Sequence, residues 1–259
     1  MNVAFDFSGQ SVLVTGASRG IGYGVAEAFA AAGARLSILA EDAGVHQAAA
    51  AIQAATGQPV TAIECDISDA AAVAAAVDGF DRIDVLVNNA GIERPTPVKG
   101  QHTAVDTTFE RIMAVNVVGS WQMTRAALAK MSRGGRILMT SSIWGHTAVP
   151  EFAGYVSSKH ALVGMVRSLS RELGGRGIRV NAVCPGWVRT ESALRSLATM
   201  ANEQGVAPAT LQAEIVAGQS LDGLMGPEDV AGLYLYLASD AAANITGQAM
   251  IIDRGEVMR

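Results

Sequence analysis

The sequence predicts a doubly wound α/β fold, in which a parallel sheet of about seven strands is covered by helices on both faces. Short β-branched runs alternate with longer helical patterns along the chain, which is typical of repeated β-α units. The runs are apolar nearly throughout, as expected of strands that are buried on both faces. The chain of 259 residues is 50% apolar and 17% charged, which suits a compact domain and argues against disorder.

Each predicted strand is a short apolar run, and each predicted helix follows one. The strands are expected at 11–15, 35–40, 59–65, 83–87, 136–142, 178–184 and 248–253. The helices are expected near 21–32, 42–56, 69–78, 104–132, 152–174 and 227–239. Pro227 with Glu228 and Asp229 indicates a helix start, because proline and acidic residues are favoured in the first turn.

Residues 1–259 are interpreted as a single domain, because the sequence shows neither a linker nor an internal repeat. The stretch 187–226 interrupts the β-α alternation with two short helical patterns, near 191–203 and 208–218. A long excursion of this kind predicts a substrate lid or binding loop, and a structural surface insertion is the alternative.

Charge and cysteine content exclude several classes of protein. A net charge of −5 argues against nucleic-acid binding through a broad basic surface. Cys65 and Cys184 lie among apolar residues without metal-ligand spacing, so we expect reduced, buried thiols and no metal site.

Residues 1–10 lack the features of a signal peptide, and the alanine-rich run 69–80 is too short to span a membrane. We therefore expect a soluble, cytoplasmic protein.

A glycine-rich turn, "TGASRGIG" at 15–22, directly follows the first predicted strand. Its glycines allow a tight turn, a close approach to a ligand and close packing of the next helix. The helix N-terminus then points unpaired N–H groups and its positive end at a phosphate. The turn predicts a dinucleotide site formed by Gly16, Ser18, Arg19, Gly20, Ile21 and Gly22.

Tyr155 and Lys159, in "YVSSK", lie one helical turn apart. The tyrosine could pack against the core while the lysine faces water. Alternatively, the lysine could lower the pKa of the tyrosine so that it works as an acid or base. The spacing alone favours the first interpretation, because Tyr-x-x-x-Lys is common by chance.

Six motifs in order show that the chain resembles the short-chain dehydrogenase/reductase family over essentially its whole length. They are "TGASRGIG" at 15–22, "NNAG" at 88–91, Asn116 in "AVNVVG", Ser142 in "TSSIWG", "YVSSK" at 155–159 and "PGWVRT" at 185–190. The resemblance implies a Rossmann-type fold and a nicotinamide cofactor, and it favours the catalytic interpretation of Tyr155.

The resemblance also implies a role for each catalytic residue. Tyr155 would exchange a proton with the substrate oxygen, with its pKa lowered from about 10 by Lys159 and the nicotinium charge. Lys159 would in addition bind the nicotinamide ribose. Ser142 would bind the substrate oxygen. Asn116 would lie in a bent helix and hold a water that relays protons from Lys159. The backbone of Val188 would contact the carboxamide.

The adenosine half of the cofactor would meet a second group of residues. Asn89 is expected at the adenine-ribose end, while Asp66 and Ile67 would form the adenine pocket, with the carboxylate accepting from the exocyclic amine. A helix N-cap is the alternative role for Asp66, although Ser68 or Asp69 is better placed for it.

Glu41 stands at the end of the second strand, at the position where members of the family bind the adenosine ribose. Its carboxylate can accept hydrogen bonds from the ribose hydroxyls and would repel a 2′-phosphate, which favours NAD. Relatives that use NAD more often have Asp one residue earlier, where this chain has Ala40. Arg19 favours NADP instead, because a basic residue at this position can bind a 2′-phosphate. We expect NAD, with NADP as the alternative.

The expected function is interconversion of a secondary alcohol and a ketone, on a small-molecule substrate. The alternatives are an NADPH-dependent 3-oxoacyl thioester reductase and a non-catalytic dinucleotide sensor of the same fold. The complete set of Asn116, Ser142, Tyr155 and Lys159 argues against the sensor. Glu93 could line the pocket mouth or form a surface ion pair.

Assembly is expected to be a homo-oligomer, with two-fold axes and four subunits. The predicted helices 104–132 and 152–174 resemble those through which relatives form dimer contacts. Small residues on the second helix, Ala161, Gly164 and Ser168, would allow close approach.

Overall fold

The computed structural model describes residues 4–99 and 102–258 as a parallel sheet with helices on both faces. The predicted fold class is confirmed. The sheet has seven strands in the order β3-β2-β1-β4-β5-β6-β7. The strands are β1 (Ser11–Thr15), β2 (Arg35–Ala40), β3 (Val60–Glu64), β4 (Val85–Asn88), β5 (Arg136–Thr140), β6 (Arg179–Pro185) and β7 (Ala249–Ile252).

The helices lie where the periodicity predicted them, with ends shifted by a few residues. They are α1 (Gly20–Ala31), α2 (Gly44–Thr56), α3 (Ala70–Asp78), α4 (His102–Met113), α5 (Ser120–Leu128), α6 (Ala153–Leu173), α7 (Glu191–Glu203), α8 (Pro208–Ala217) and α9 (Pro227–Ala238). The single helix expected over 104–132 is instead two helices, α4 and α5, joined by a π-helical segment at Ala114–Gly119.

The sheet is buried on both faces, which explains its apolar strands. Val12 and Val14 pack into one core cluster, while Leu13 packs into the cluster on the opposite face. Each such side chain contributes about 1.5–3 kcal/mol through burial. Cys65 and Cys184 are buried free thiols in the same cluster as Leu13, so their predicted burial is confirmed.

Strand order places a crevice beside β1. The chain builds β1, β2 and β3 in one direction and then returns to pair β4 with the other side of β1. The connections that follow β1 and β4 therefore leave in opposite directions, which opens a cleft at the carboxyl ends of these two strands.

Two predicted helix starts are confirmed by their caps. Asp69 caps α3, and its carboxylate accepts from Ala71 N at 2.8 Å and Ala72 N at 3.2 Å. Pro227 opens α9, and the Asp229 carboxylate accepts from Gly226 N at 2.8 Å. Such caps satisfy N–H groups that have no partner inside the helix.

The 187–226 excursion folds as α7 and α8, which pack on each other through Leu197, Ala201 and Leu211. Arg254 ties the end of this segment to the C-terminal region, because its guanidinium donates to Asp222 O at 2.7 Å. Whether the segment moves stays a prediction.

Two features are absent from residues 4–99 and 102–258. None of the helices there is long and apolar enough to cross a membrane. The same residues contain no cluster of three or more His, Cys, Asp or Glu side chains suited to a metal ion.

Candidate active site

The glycine-rich turn between β1 and α1 leaves no room for a side chain at Gly16 or Gly22. Gly16 and Gly20 have φ values of +64° and +62°, in the left-handed region that favours glycine. A Cβ atom at Gly16 would lie 2.5 Å from Ala90 Cα, and one at Gly22 would lie 2.2 Å from Gly16 O. The turn therefore holds the N-terminus of α1 at the edge of the cleft, where its unpaired N–H groups can bind an anion.

A single cleft at this edge brings together most of the residues predicted from sequence. Its lining includes Gly16, Ser18, Arg19, Gly20, Ile21, Glu41, Asp66, Ile67, Asn89, Ser142, Tyr155, Lys159 and Val188. Two predicted residues lie outside the lining. Gly22 packs behind the turn, against Gly16 and Asn89, and Asn116 is completely buried.

Tyr155, Lys159 and Ser142 meet on one wall of the cleft. Both Tyr155 and Lys159 are on α6, and the Lys159 ammonium lies 5.2 Å from the centre of the Tyr155 ring. Lys159 is buried and donates to Thr140 O at 2.8 Å, which fixes the ammonium at the end of β5. Ser142 follows β5, and its hydroxyl is hydrogen-bonded to that of Tyr155.

The protein's own groups raise the pKa of Tyr155, and the predicted lowering, which includes the nicotinium charge, stays a prediction. Burial raises it first, the Glu93 carboxylate raises it further, and the hydrogen bond from Ser142 only partly opposes this. Burial also lowers the pKa of Lys159, to about 8, against opposing contributions from Glu93 and Cys184. The protein's own groups therefore favour the protonated phenol, and any lowering depends on the positive charge of oxidised nicotinamide.

Asn116 joins its own helical segment to the loop after β4 and to α6. It lies in the π-helical segment, where its side-chain amide donates to Ile92 O at 3.0 Å and Ser158 Oγ at 2.9 Å. Its side-chain oxygen accepts from Ile92 N at 2.8 Å. Asn116 thus braces the loop after β4 against α6, and its part in a proton relay stays a prediction.

Glu41 and Asp66 share a cation that the sequence analysis missed. Arg111, on α4, lies 3.3 Å from Glu41 Oε2 and 2.9 Å from Asp66 Oδ2. Burial raises the pKa of Asp66, but hydrogen bonds from Ser68 and Arg111 outweigh it and hold the pKa below its ordinary value. A carboxylate has about four lone-pair sites, so Asp66 keeps capacity for a further donor.

Arg19 is paired with acidic residues of the cleft rather than standing alone. Its guanidinium lies 3.3 Å from Asp42 Oδ2 and 4.0 Å from Glu191 Oε2. Asp42, also missed from sequence, accepts in addition from Ser18 Oγ at 3.2 Å and Gly44 N at 3.0 Å. The signal was present, because Asp42 directly follows Glu41 at the end of β2.

Asn89 and Val188 line the cleft, and hydrogen bonds within the protein fix both. The Asn89 side-chain amide donates to Thr15 O at 3.1 Å and Gly16 O at 3.0 Å, so this residue also joins β4 to the glycine turn. Val188 O accepts from Thr190 N at 2.7 Å.

A second, smaller pocket of about 60 Å³ adjoins Tyr155 and Ser142. Trp144 and Trp187 form its aromatic wall, and the Trp144 ring meets Tyr155 and Trp187 edge-to-face at 5.9 Å each. Glu93 also lines this pocket, which supports the pocket interpretation of this residue over a surface ion pair.

Comparison with known proteins adds a sequence match over nearly the whole chain. Residues 16–256 match the family described as Enoyl-(Acyl carrier protein) reductase. The oxidoreductase UcpA of Salmonella typhimurium is 38% identical over 258 residues, which cover 97% of this chain and 95% of that protein. The D-threitol dehydrogenase of Mycolicibacterium smegmatis is 34% identical over 267 residues, with coverage of 100% and 98%.

Solved structures show the same architecture. Levodione reductase superposes with a TM-score of 0.89 at 28% identity, covering 96% of this chain and 98% of that one. A 3-oxoacyl-[acyl-carrier protein] reductase with bound NAD, from Brucella melitensis, gives 0.85 at 31% identity, with coverage of 97% and 92%. A short-chain dehydrogenase from Burkholderia cenocepacia in complex with NADP gives 0.83 at 32% identity, with coverage of 96% and 98%.

Proposed function

The chain belongs to the short-chain dehydrogenase/reductase family, and we propose that it interconverts a secondary alcohol and a ketone with NAD. The observation that carries this proposal is the meeting of Tyr155, Ser142 and Lys159 on one wall of the cleft that begins at the glycine turn. Each of these side chains comes from the end of a strand or from the helix beside it, which keeps the catalytic groups rigid.

The cleft fits a dinucleotide by the chemistry of its donors and acceptors. The N-terminus of α1 can bind the pyrophosphate, because Arg19 at the N-cap makes no side-chain capping bond and the first N–H groups remain unpaired. Glu41 and Asp66 offer acceptors for the ribose and adenine, and Lys159 offers a donor for the other ribose. The bound nicotinamide would supply or accept the hydride.

The catalytic residues act on the proton and on the substrate oxygen. Burial keeps the Tyr155 phenol protonated, so it can donate its proton to the oxygen of a ketone; oxidation of an alcohol runs this transfer in reverse. Ser142 donates to the same oxygen and fixes its position. Lys159, held by Thr140 O, stabilises the phenolate that remains after the proton has left.

The ion pairs of the cleft support NAD over NADP. Arg19 is the basic residue best placed for a 2′-phosphate, yet it pairs with Asp42 and lies near Glu191. A phosphate would have to break the first pair and approach Glu41 as well. Because relatives of this family bind either cofactor, NADP remains the alternative.

A 3-oxoacyl thioester reductase is the second candidate, and the similarity to a solved 3-oxoacyl-[acyl-carrier protein] reductase supports it. A polyol or simple alcohol dehydrogenase is favoured by the similarity to D-threitol dehydrogenase and by the small pocket beside Tyr155. A non-catalytic sensor would not require the hydrogen-bonded Ser142–Tyr155 pair.

The assembly proposed for the enzyme is a homotetramer. Apolar side chains on α4, the π segment and α5 support it, since Phe109, Val118 and Trp121 are 37%, 46% and 40% exposed.

Residues of α7, including Glu191 and Arg195, line the cleft, which supports a lid role for 187–226. Two buried free thiols suit the reducing cytoplasm, which we propose as the location.

The proposal is tested by following NADH and NADPH formation with a panel of secondary alcohols, polyols and hydroxy acids. A 3-oxoacyl thioester is assayed in the reverse direction, with both reduced cofactors. We expect alcohol oxidation with NAD. Thioester reduction with NADPH and no alcohol oxidation would select the second candidate, and cofactor binding without turnover would indicate a sensor.

A further inference from the structure

Glu93 places a carboxylate in the pocket where the substrate must lie. It is half-buried, two residues beyond "NNAG", and it lines both the cofactor cleft and the small pocket beside Tyr155. Burial raises the pKa of Glu93, while a hydrogen bond from Ser196 and the charges of Lys159, Arg94 and Arg195 oppose the shift. A charged group in such a position is costly unless it has a partner.

The neighbouring guanidinium groups form contacts with other acceptors. Arg94 Nη1 donates to the main-chain oxygen of Glu93, at 2.8 Å, rather than to its carboxylate. Arg195 Nη1 lies 2.6 Å from Glu191 Oε1, in an ion pair along α7. Ser196 thus supplies one hydrogen bond, and the Glu93 carboxylate keeps acceptor capacity toward the pocket.

The remaining walls of this pocket define what can lie beside Glu93. Trp144 and Trp187 provide apolar ring surface, while Ser142 and Tyr155 provide the donors for the reacting oxygen. In its ionised form the Glu93 carboxylate only accepts hydrogen bonds, so it complements a second polar group of the substrate that donates one. It would repel a substrate carboxylate at the same place.

We infer that Glu93 determines substrate specificity by accepting a hydrogen bond from a hydroxyl or ammonium group close to the reacting carbon. The substrate class is therefore vicinal diols, polyols or amino alcohols rather than 2-hydroxy acids. This inference rests on the proposed alcohol–ketone chemistry, and it names the substrate class of the same site.

A matched set of four-carbon compounds tests the inference. It consists of 2-butanol, 2,3-butanediol, 3-amino-2-butanol and 2-hydroxybutanoate, which differ in the group next to the carbinol. Each is assayed with the unmodified enzyme and with Glu93→Gln and Glu93→Leu. Glu214→Gln, an exposed position on α8, serves as the control for loss of one charge.

The unmodified enzyme should favour the diol or the amino alcohol over 2-butanol by about tenfold or more in kcat/KM, the scale of a charge-assisted hydrogen bond. Glu93→Leu should abolish this ratio, which compares two substrates on the same variant and therefore cancels any effect of Glu93 on the pKa of Tyr155. Glu93→Gln should favour the diol over the amino alcohol and should improve 2-hydroxybutanoate. The control should retain the original ratios.

A binding measurement separates this inference from the proposed function. Calorimetric titration of the same compounds into the enzyme–NADH complex gives affinities without turnover, and NADH affinity and thermal melting report whether each variant is folded. Equal diol-to-butanol affinity ratios in the unmodified enzyme and in a folded Glu93→Leu variant would overturn the inference. Absence of turnover with a Glu93-dependent binding ratio would instead refute the proposed reaction and leave the inference supported.

Discussion

Replacing Asp42 by Asn should shift the cofactor preference toward NADP. The substitution keeps the size of the side chain and leaves an amide oxygen that can still accept from Gly44 N, now 3.0 Å from the carboxylate. It removes the charge that pairs with Arg19 at 3.3 Å. Arg19 would then be available for a 2′-phosphate.

The expected size of the shift follows from the exposure of the pair. The Arg19 and Asp42 side chains are 61% and 38% exposed, so their ion pair is worth at most about 1 kcal/mol. A charge-assisted bond from Arg19 to a phosphate adds an amount of similar order, reduced by the nearby Glu41 and Glu191. We expect a total change of about 1–2 kcal/mol, or about fivefold to thirtyfold in the ratio of dissociation constants.

Calorimetric dissociation constants for NAD and NADP provide the assay, at two salt concentrations. Asp240→Asn is the matched control, because Asp240 is 96% exposed and pairs with Arg136 instead. The control should leave the ratio unchanged, and added salt should reduce the effect of Asp42→Asn. The reasoning is refuted if Asp42→Asn leaves the ratio within twofold of the control, or if the unmodified enzyme already prefers NADP.

Three further predictions concern turnover, stability and assembly. Tyr155→Phe should lower turnover by at least about 10²-fold with little change in cofactor affinity, and near-normal steady-state rates in the folded variant would exclude Tyr155 as the proton donor. Burial lowers the pKa of Lys159 from 10.5 to about 8. Between these two pH values the unfolded chain carries a proton on Lys159 that the folded protein has lost, so the free energy of unfolding rises with pH across this interval. Lys159→Met should therefore raise the melting temperature at pH 7 by roughly 4 °C, despite the lost bond to Thr140 O, and a lower melting temperature would contradict this account. Trp121→Asp should convert the tetramer to smaller species in light scattering, whereas a monomeric unmodified protein at micromolar concentration would defeat the proposed assembly.

The strands could be predicted because burial on both faces requires an apolar sequence nearly throughout. The predicted edges of β1 and β2 match the structure, and the others differ by one or two residues. The helix over 104–132 was predicted without its π segment, in which Asn116 makes hydrogen bonds to the main chain of Ile92. Hydrophobic periodicity contains no information about such a contact.

The pKa of Tyr155 shows the same limit at the active site. Sequence spacing identifies Lys159 as a neighbour on one helix, and the structure confirms that the two residues lie together. Sequence spacing does not show that the phenol is half-buried, nor that Glu93 approaches from the loop after β4. Both contributions come from the protein alone and raise the pKa of Tyr155, whereas the predicted lowering includes the nicotinium charge.

Cofactor selectivity could be predicted only as far as strand topology determines it. Because β1, β2 and β3 are parallel neighbours, the segments after them meet at one edge and bring Arg19, Asp42 and Asp66 together. The acidic partner of Arg19 could therefore have been predicted from the fold. Arg111 differs, because it reaches Asp66 from α4, 45 residues further along the chain. Because α4 lies outside the sheet, the order of the strands does not determine which of its side chains reach Glu41 and Asp66.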